Sequence, residues 1–330
     1  MDDQIFVLTH GNDLDGLGSA ALIMRKYCVP LKNIFFLDYG EKKLNYAIEN
    51  IVRMSGRKSI VFIADTGMND RQVSPFKRLV LHIRKRGGKV FWFDHHHWKK
   101  NQIRDIARIC DLAIVGENEY ACAAEITLME LGLKDKFSVM LAKMAHETDF
   151  APILHPYIRD AKNPIEVYGL VFSYYNTIDD IEKQTASLRR VVGMLSSGKF
   201  LNTDIVNRAG KFESKTKLEL SRIERQIYSV NKDFSIGFAQ SINSNIACDQ
   251  IRKLTNSDVV LYIDTTHNKG HFRSTNTNII ELAASFGGGG HPHSAGFDID
   301  KRKFADFRTK RQRQKFVDMI SKSVERSKLY

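Results

Sequence analysis

The amino-acid sequence predicts an α/β protein of two domains, a parallel-sheet domain followed by a smaller mixed α/β domain, with a cleft between them. Two observations support this prediction. Over the first half of the chain, short apolar runs alternate with stretches whose apolar residues recur at helical spacing. A long polar helical region then separates this part from a second group of strand-like runs. The 330 residues give room for two domains of about 100–200 residues each.

Five apolar runs are the predicted strands of the first domain. They are nearly continuous, which is typical of parallel strands covered by helices on both faces. Helical patterns such as LGSAALIMRKYC and SPFKRLVLHIRKRGG lie between them, and two more helical segments follow the fifth run. The runs are IFVLTH (5–10), NIFFLDY (33–39), SIVFIAD (59–65), KVFWFDHH (89–96) and DLAIVG (111–116).

The predicted domain boundaries follow from this pattern. Residues 1–177 form the first domain, residues 178–231 a highly charged helical linker, and residues 232–330 the second domain. The second domain contains the strand-like segments FSIGFAQ, DVVLYIDT, HFRST and SAGFDID, with one helix, NIIELAASF, and a glycine run among them. This order of segments indicates a smaller, mixed α/β domain.

The chain is basic. Lysine and arginine number 50 against 38 acidic residues, which gives a formal net charge of +12. Such an excess favours polyanionic partners, nucleic acid above all, although a solvated basic surface explains the charge equally well. Part of the excess lies in KRKFADFRTKRQRQKF, which keeps apolar residues at helical spacing. The sequence leaves open whether this helix contacts nucleic acid or pairs with a second copy in a homodimer.

Cysteine usage and hydropathy predict a cytoplasmic protein without a membrane partner. The four cysteines are scattered and form no CxxC pair, which argues against a disulfide framework and against a cysteine zinc site. No apolar run approaches the ~20 residues that a membrane-spanning helix needs. The N-terminal segment MDDQIFVLTHG lacks the basic start and apolar stretch of a signal peptide.

Acidic residues and histidines fall where the predicted strands and helices end. In open parallel sheets, ligands bind beyond the carboxyl ends of the strands. The first strand runs into THGNDLDG, the third into FIADTG and the fourth into DHHHW, and a later helix ends in HETD. The candidate residues at these ends are His10, Asp13, Asp15, Asp65, Asp94, His95, His96 and Asp149.

These residue types indicate a metal site. Crowded carboxylates repel one another unless cations neutralise them. Oxygen and imidazole ligands without thiolates suit manganese, magnesium or zinc. The set is large enough for a two-metal site, in which ions about 3.5–4 Å apart activate water and stabilise both oxygens of a phosphoryl displacement.

Each candidate residue also has a structural interpretation. Asp13 or Asp15 alone is as readily the N-cap of the following helix. Asp65 alone is more often a turn residue. The coincidence of all the candidates on one edge of the sheet favours the metal site over these separate interpretations. His97 and His146 are predicted to be structural residues.

A glycine run and an arginine indicate a phosphate-binding site in the second domain. The segment SFGGGGHPHSAGF contains four consecutive glycines, whose N–H groups can cradle phosphate oxygens, whereas the end of a helix explains only one of them. Arginine binds phosphate with two parallel hydrogen bonds, although a lone arginine in a strand is ordinarily a surface residue. The candidate residues are Arg273, Ser274, Gly287, Gly288, Gly289, Gly290 and His291.

These motifs resemble the DHH phosphoesterase superfamily. The sequence DHH at 94–96 occurs together with NDLDGLGSA, IADTG and the aspartate of HETD. The segment FRST…NIIELAASFGGGGHPHSAG is similar to the DHH-associated substrate domain of nano-RNases, RecJ-type exonucleases and cyclic-dinucleotide phosphodiesterases. The resemblance runs from residue 5 to about residue 300.

The resemblance implies which residues act. The first domain would bind two divalent ions, usually manganese, with magnesium or cobalt as alternatives. His96 would orient the scissile phosphate or protonate the leaving group, and the second-domain candidates would hold the far end of the substrate. His10 precedes Asp13 by three residues, whereas some members have a spacing of four. The matching ligands are His10, Asp13, Asp15, Asp65, His95 and Asp149, with Asp65 bridging the two ions.

The predicted function is a manganese-dependent phosphodiesterase that releases nucleoside 5′-monophosphates from short oligonucleotides, such as nanoRNA or the linear dinucleotide pApA. Three alternatives lie within the enzyme class: cyclic di-AMP hydrolysis, removal of the 3′-phosphate from pAp, and RecJ-like exonuclease action on single-stranded DNA. The alternative from another class is a catalytically inactive nucleic-acid-binding scaffold. Such relatives typically lose metal ligands, whereas this chain keeps the acids and the histidine pair.

Overall fold

The computed structural model describes residues 4–38, 41–68, 71–116, 120–150, 160–175, 178, 180–300 and 307–327. The chain divides into two compact units, and the division falls between Ala209 and Gly210, inside a long helix that spans Thr203–Arg225. The predicted domain boundaries at residues 177 and 231 stay a prediction. Each unit is built around its own β-sheet.

The first unit contains a five-stranded sheet in the order β2-β1-β3-β4-β5. All neighbouring strands pair in parallel, which confirms the fold class predicted from the continuous apolar runs. Each predicted run contains one of these strands. The strands are β1 (Ile5–His10), β2 (Ile34–Leu37), β3 (Ile60–Ala64), β4 (Lys89–Phe93) and β5 (Leu112–Ile114).

Helices cover the first sheet, and their burial explains the apolar pattern of the sequence. The helices are α1 (Leu14–Tyr27), α2 (Glu41–Met54), α3 (Val73–Lys85), α4 (Lys100–Asp105), α5 (Ala123–Glu130), α6 (Lys136–Asp149), α7 (Pro164–Tyr175) and α8 (Ile181–Ser196), with 3₁₀ turns at Leu31–Asn33 and Ala107–Ile109. Helices α2 and α3 each bury one apolar stripe in a core that includes Trp92 and Phe6. Helix α1 is buried continuously from Leu14 to Ile23, because it contacts β1 and β3 as well as α5, α6 and α8.

The second unit contains a six-stranded mixed sheet in the order β10-β11-β9-β8-β7-β6. Strands β7 and β8 pair in parallel, and the remaining pairs are antiparallel. The strands are β6 (Ile227–Ser229), β7 (Phe234–Ala239), β8 (Val259–Asp264), β9 (Lys269–Arg273), β10 (Gly289–His291) and β11 (Ser294–Asp298). The helices are α9 (Thr203–Arg225, which contains the division), α10 (Ser244–Thr255), α11 (Ile280–Ser285) and α12 (Lys310–Ser327).

Helix α10 corrects the sequence analysis, which placed one helix among the strands of this domain. The side chain of Asn243 caps it by accepting hydrogen bonds from the N–H groups of Asn245 and Ile246. One face, which includes Ala247 and Ile251, is buried. Because β7 and β8 are parallel, they require a crossover connection instead of a tight turn, and α10 forms that connection.

The basic segment that the sequence predicts to be an amphipathic helix spans residues 301–316, of which residues 301–306 lie outside the described residues and Lys310–Phe316 form the start of α12. In α12, Phe316 and Ile320 lie in the core of the second unit, whereas Lys310, Arg311 and Lys315 are exposed. Within the described residues, no helix is long and apolar enough to span a membrane.

Candidate functional site

The carboxyl ends of three neighbouring strands gather the predicted ligands at one edge of the first sheet. His10 ends β1, Asp65 follows β3, and Asp94 to His96 follow β4. The parallel register aligns Thr9 with Ala64 and Ala64 with Phe93, so the three strands stop at the same level. The side chains approach within a few ångströms, in three groups whose ligand atoms lie within 4.8 Å of one another.

The first group consists of His10, Asp13 and Asp65. Nδ1 of His10 donates to Oδ2 of Asp13 at 2.9 Å and lies 3.6 Å from Oδ2 of Asp65. Asp13 is also the N-cap of α1, where its Oδ1 accepts a hydrogen bond from the N–H of Gly16 at 3.0 Å. A Cβ atom at Gly16 would lie 2.1 Å from the carbonyl oxygen of His10, so only glycine allows α1 to start this close to β1.

The second group consists of Asp15, His95 and Asp149. Nε2 of His95 lies 3.6 Å from Oδ2 of Asp15 and 3.4 Å from Oδ2 of Asp149, which ends α6. The carboxylate of Asp15 accepts hydrogen bonds from the N–H groups of Ala123 and Ala124 at 2.9 and 2.6 Å. The first turn of α5 thus fixes this carboxylate beside His95, and the dipole of the helix favours its negative charge.

Asp65 lies between these two groups. Its Oδ2 faces His10, and its Oδ1 is 3.8 Å from Nε2 of His95, which places it in a third group with His95 and His96. The residue has a φ of 48°, in the left-handed region that aspartate and asparagine tolerate better than most residues. This backbone conformation occurs directly after β3 ends at Ala64.

The donor set fits two divalent cations. Oδ2 of Asp65 and Nε2 of His95 are buried, and neither has a hydrogen-bond partner among the described residues. Buried polar atoms without partners are costly, and a cation would satisfy both of them. Carboxylate oxygens and imidazole nitrogens are the ligands that manganese, magnesium and zinc accept. Asp65 is shared by two of the groups, and the bridging position that the resemblance implies for it stays a prediction.

Crowding shifts the protonation equilibria of the site. Burial raises the pKa of Asp65 to about 6, and the negative charge of Asp13 acts in the same direction. Burial and the charge of Asp65 likewise raise the pKa of Asp15 well above its usual value. Burial lowers the pKa of His10, but the carboxylates of Asp13 and Asp65 together outweigh burial, and the net pKa lies well above 6.5. Without cations, the site therefore holds protons where it would otherwise hold unneutralised negative charge.

His96 is held by a buried carboxylate that the sequence analysis did not assign a role. Nδ1 of His96 donates to Oδ1 of Asp94 at 2.8 Å, and Nε1 of Trp98 donates to Oδ2 of the same carboxylate at 2.7 Å. Burial lowers the pKa of His96, but the hydrogen bond and charge of Asp94 outweigh it and raise the pKa to about 9. His96 thus carries a proton near neutral pH and lies 3.8 Å from Oδ1 of Asp65.

We expect Asp94→Asn to lower activity without removing the cations. An asparagine can keep the hydrogen bond from Trp98 but loses the charge that holds the proton on His96. A positioned general acid typically contributes about 10²- to 10⁴-fold in rate, and Asp94→Asn should lose part of that contribution. The measurement is kcat with saturating manganese, and Trp98→Phe is the companion variant that removes only the indole hydrogen bond. A kcat unchanged in Asp94→Asn would contradict this role.

His97 and His146, which the sequence predicts to be structural, are not members of the three ligand groups. His146 pairs with Glu125 through Nδ1 and Oε2 at 2.7 Å, one turn of α6 before Asp149. His97 is exposed. The sequence alone did not indicate the pairing of His146 with Glu125, because 21 residues and two different helices separate the partners.

In the second unit, Arg273 ends β9, as predicted. Its guanidinium donates to Oδ1 of Asn245 at 2.9 Å, to the carbonyl of Phe272 at 2.7 Å and to Oγ of Ser244 at 3.3 Å. All of these acceptors are neutral, and no carboxylate pairs with Arg273 in the described part of the chain. The positive charge is therefore positioned but not neutralised, which suits an anionic ligand.

Ser274 is buried, and its side chain makes hydrogen bonds within the loop that follows β9. Its hydroxyl donates to the carbonyl of Thr277 and lies 3.1 Å from Nδ1 of His293, a residue that the sequence analysis did not single out. The loop is further tied down by Asp258, whose carboxylate accepts hydrogen bonds from the N–H groups of Thr275 and Asn276. In this arrangement Ser274 supports the loop beside Arg273.

The glycine run requires a correction to the predicted phosphate cradle. The N–H groups of Gly287 and Gly288 donate to the carbonyls of Ala284 and Ala283, both at 2.9 Å, because they terminate α11. Gly289 and Gly290 belong to β10, which pairs with β11. A Cβ at Gly288 would lie 2.0 Å from the carbonyl oxygen of Gly296. Close packing thus explains part of the run, and two of the expected N–H donors are already used. The side chain of His291 lies outside the described residues.

Comparison with known protein families finds a match in the second unit. Residues 236–325, from β7 to α12, match the family described as the DHHA1 domain. The curated proteins contain no match to the chain.

Solved structures match nearly the whole chain. A pGpG-specific phosphodiesterase, PggH from Vibrio cholerae, has a TM-score of 0.55 at 14% identity and covers 96% of this chain and 99% of its own. The exonuclease RecJ bound to manganese has a TM-score of 0.55 at 15% identity, over 98% and 92% of the two chains. An exopolyphosphatase-related protein from Bacteroides fragilis has a TM-score of 0.54 at 13% identity, over 99% and 93%.

The second unit thus matches the DHHA1 domain family, and nearly the whole chain shares its fold with these phosphodiesterase and exonuclease structures. The DHHA1 match confirms the part of the sequence resemblance that concerns the substrate domain. The three residues of the DHH sequence at 94–96 make different contacts: Asp94 and His96 form a hydrogen-bonded pair, and His95 faces Asp15 and Asp149. The DHHA1 domain carries Arg273 and the four glycines.

Proposed function

We propose that this protein is a member of the DHH phosphoesterase superfamily and a manganese-dependent phosphodiesterase that hydrolyses short oligonucleotides and linear dinucleotides to nucleoside 5′-monophosphates. The observation that carries the proposal is the position of Asp65. Its buried carboxylate lies between the His10–Asp13 pair and the His95 group, and one of its oxygens has no hydrogen-bond partner among the described residues. Such a carboxylate is suited to bridging two cations.

The residues of the first unit would divide the chemistry among them. When bound, two divalent cations supply Lewis-acid stabilisation of the phosphoryl group and lower the pKa of a water molecule. The cations would be held by His10, Asp13, Asp15, Asp65, His95 and Asp149. His96, kept protonated by Asp94, would donate its proton to the leaving oxygen of the substrate. Manganese is the proposed ion, with magnesium or cobalt as substitutes.

The second unit supports an anionic substrate. Arg273 carries a charge that no carboxylate neutralises among the described residues, and β9 and α10 hold it in place. We assign it to a phosphate of the substrate, with Ser274 as its support. The net charge of +12 favours nucleic acid in the same way. Gly289, Gly290 and His291 remain candidate contacts to the substrate, whereas Gly287 and Gly288 shape the loop.

The neighbours favour a nucleotide substrate without deciding its length. PggH is described as specific for pGpG, a linear dinucleotide, and RecJ as an exonuclease. Cyclic di-AMP, pAp and long single-stranded DNA remain the alternative substrates. The proposed setting is the cytoplasm, where the four free cysteines would stay reduced.

A substrate panel tests the proposal. Purified protein with manganese is incubated with labelled RNA and DNA of two to twenty-four nucleotides, pAp and cyclic di-AMP. We expect the highest kcat/KM on RNA of two to five nucleotides, with nucleoside 5′-monophosphates as products. A higher kcat/KM on 24-nucleotide DNA or on pAp than on short RNA would overturn the proposed substrate and identify the preferred compound in its place. Cleavage of none of these, in a protein that binds manganese, would favour the non-catalytic scaffold.

A further inference from the structure

An aromatic ring lies exposed beside the candidate metal centre. Phe150 directly follows Asp149 at the end of α6, and 36% of its surface is accessible. The large phenylalanines of the nearby strands, Phe6 and Phe93, are in contrast fully buried. The ring centroid of Phe150 lies 6.0 Å from that of His95, at an interplanar angle of 69°.

The ring is held by a chain of contacts that starts in another helix. The N–H of Cys122 donates to Oε2 of Glu125 at 3.1 Å, and the same oxygen lies 2.7 Å from Nδ1 of His146. The imidazole of His146 packs against Phe150 with centroids 4.7 Å apart. The N–H of Phe150 also donates to the carbonyl of His146 at 3.0 Å. The aromatic surface is therefore positioned before any ligand arrives, which lowers the entropic cost of binding to it.

We propose that Phe150, supported by His146 and Glu125, is a stacking site for the nucleobase next to the scissile phosphodiester. The inference rests on the proposed function, since it needs a phosphodiester at the metal centre. A flat apolar surface next to that centre accepts any base, because every base has a π-face. The site thus selects nucleotides over phosphate chains that carry no base, and it tolerates base sequence.

Other uses of this cluster fit the observations less well. Glu125 and His146 are not in the three groups of ligand atoms found among the described residues, so they do not extend the metal centre. The hydrogen bond from Nδ1 of His146 to Glu125 fixes the imidazole ring that supports Phe150. The pair is thus a positioning element, and Phe150 is the residue that touches the substrate.

The test compares two dinucleotides in the full-length protein, one with a base on each nucleotide and one that is abasic next to the scissile bond. Base–aromatic stacking contributes about 1–3 kcal/mol, which corresponds to a preference of about 5- to 150-fold in kcat/KM for the complete dinucleotide. In Phe150→Ala we expect this preference to fall close to one, whatever the base. Phe150→Trp should keep it.

Two controls separate stacking from general damage. Phe137 lies on the same helix with 46% of its surface exposed, and Phe137→Ala should keep the wild-type preference. The rise in melting temperature on adding manganese reports whether each variant still binds cations. If Phe150→Ala lowers the rates on both substrates by the same factor, the stacking site is overturned while the phosphodiesterase proposal stands. If the wild-type protein hydrolyses neither, the proposed function itself fails.

Discussion

Replacing Asp65 by asparagine is expected to lower kcat/KM by at least about 10³-fold. Two divalent cations contribute several kcal/mol to a phosphoryl transfer, and each 1.36 kcal/mol is a factor of ten in rate. Asparagine keeps the size of the side chain and tolerates the φ of 48° at this position. Alanine would strain the backbone there, so asparagine tests the charge of the carboxylate and little else.

The same variant should also lose its response to metal. A ligand that binds only the folded state at 100 times its Kd stabilises the protein by about 2.7 kcal/mol. We expect manganese to raise the melting temperature of the wild type and to leave that of Asp65→Asn nearly unchanged. Without metal at pH 8, Asp65→Asn should melt at a higher temperature than the wild type, because the variant removes a buried carboxylate whose pKa is raised to about 6.

The matched control for Asp65 is Asp318, an exposed acid on α12 that accepts a hydrogen bond from Gln314. Asp318→Asn makes the same chemical change far along the chain from the predicted ligands and should leave kcat/KM and the manganese response at wild-type values. Activity of Asp65→Asn within tenfold of the wild type would rule out Asp65 as the bridging ligand.

Lowering the pH is expected to weaken cation binding steeply. His10 has a pKa raised well above 6.5, and Asp65 has a pKa raised to about 6. A cation must displace the protons that these ligands carry, so affinity falls as pH decreases, by about tenfold per pH unit for each proton displaced. Isothermal titration calorimetry with manganese at pH 6, 7 and 8 measures the affinity. Two buffers of different ionisation enthalpy count the protons released.

In the metal-free protein, the stability that these groups contribute should fall as pH rises, whereas manganese affinity rises with pH. Because the folded-state pKa of Asp65 is raised, its contribution to stability is fully present below about 3.9 and is lost as pH rises through about 6. For His96, the contribution is present below about 6.5 and is lost as pH rises through about 9. The manganese-induced rise in melting temperature should therefore grow between pH 6 and pH 8. Equal affinities at pH 6 and pH 8 would show that the ligands carry no competing protons.

Much of the fold could be predicted because it depends on local pattern. The five runs that became β1 to β5 are nearly continuous in apolar residues, are short, and alternate with helical patterns, which is typical of parallel strands buried on both faces. Parallel pairing then forces the carboxyl ends to one edge, so His10, Asp65 and His95 had to lie near one another. Helix α10 was not predicted, because only four of its 12 residues are buried and its apolar stripe is therefore weak in the sequence. The parallel pairing of β7 with β8, which the sequence does not show, requires a crossover connection at this point.

By itself, the sequence determined which residue types collect at the strand ends, and with them the kind of ion and the class of reaction to expect. Ligand chemistry follows from side-chain type, and the positions of strand ends follow from the apolar pattern, so both can be predicted from the sequence. The tertiary structure alone decided how each group is held. Asp15 is fixed by the N–H groups of Ala123 and Ala124, more than a hundred residues away, and Asp94 turns inward to His96 and Trp98. The N–H groups of Gly287 and Gly288 end a helix instead of facing a phosphate. Hydrogen-bond partners are chosen by distance in space, and a donor used once within the fold is no longer available to a substrate.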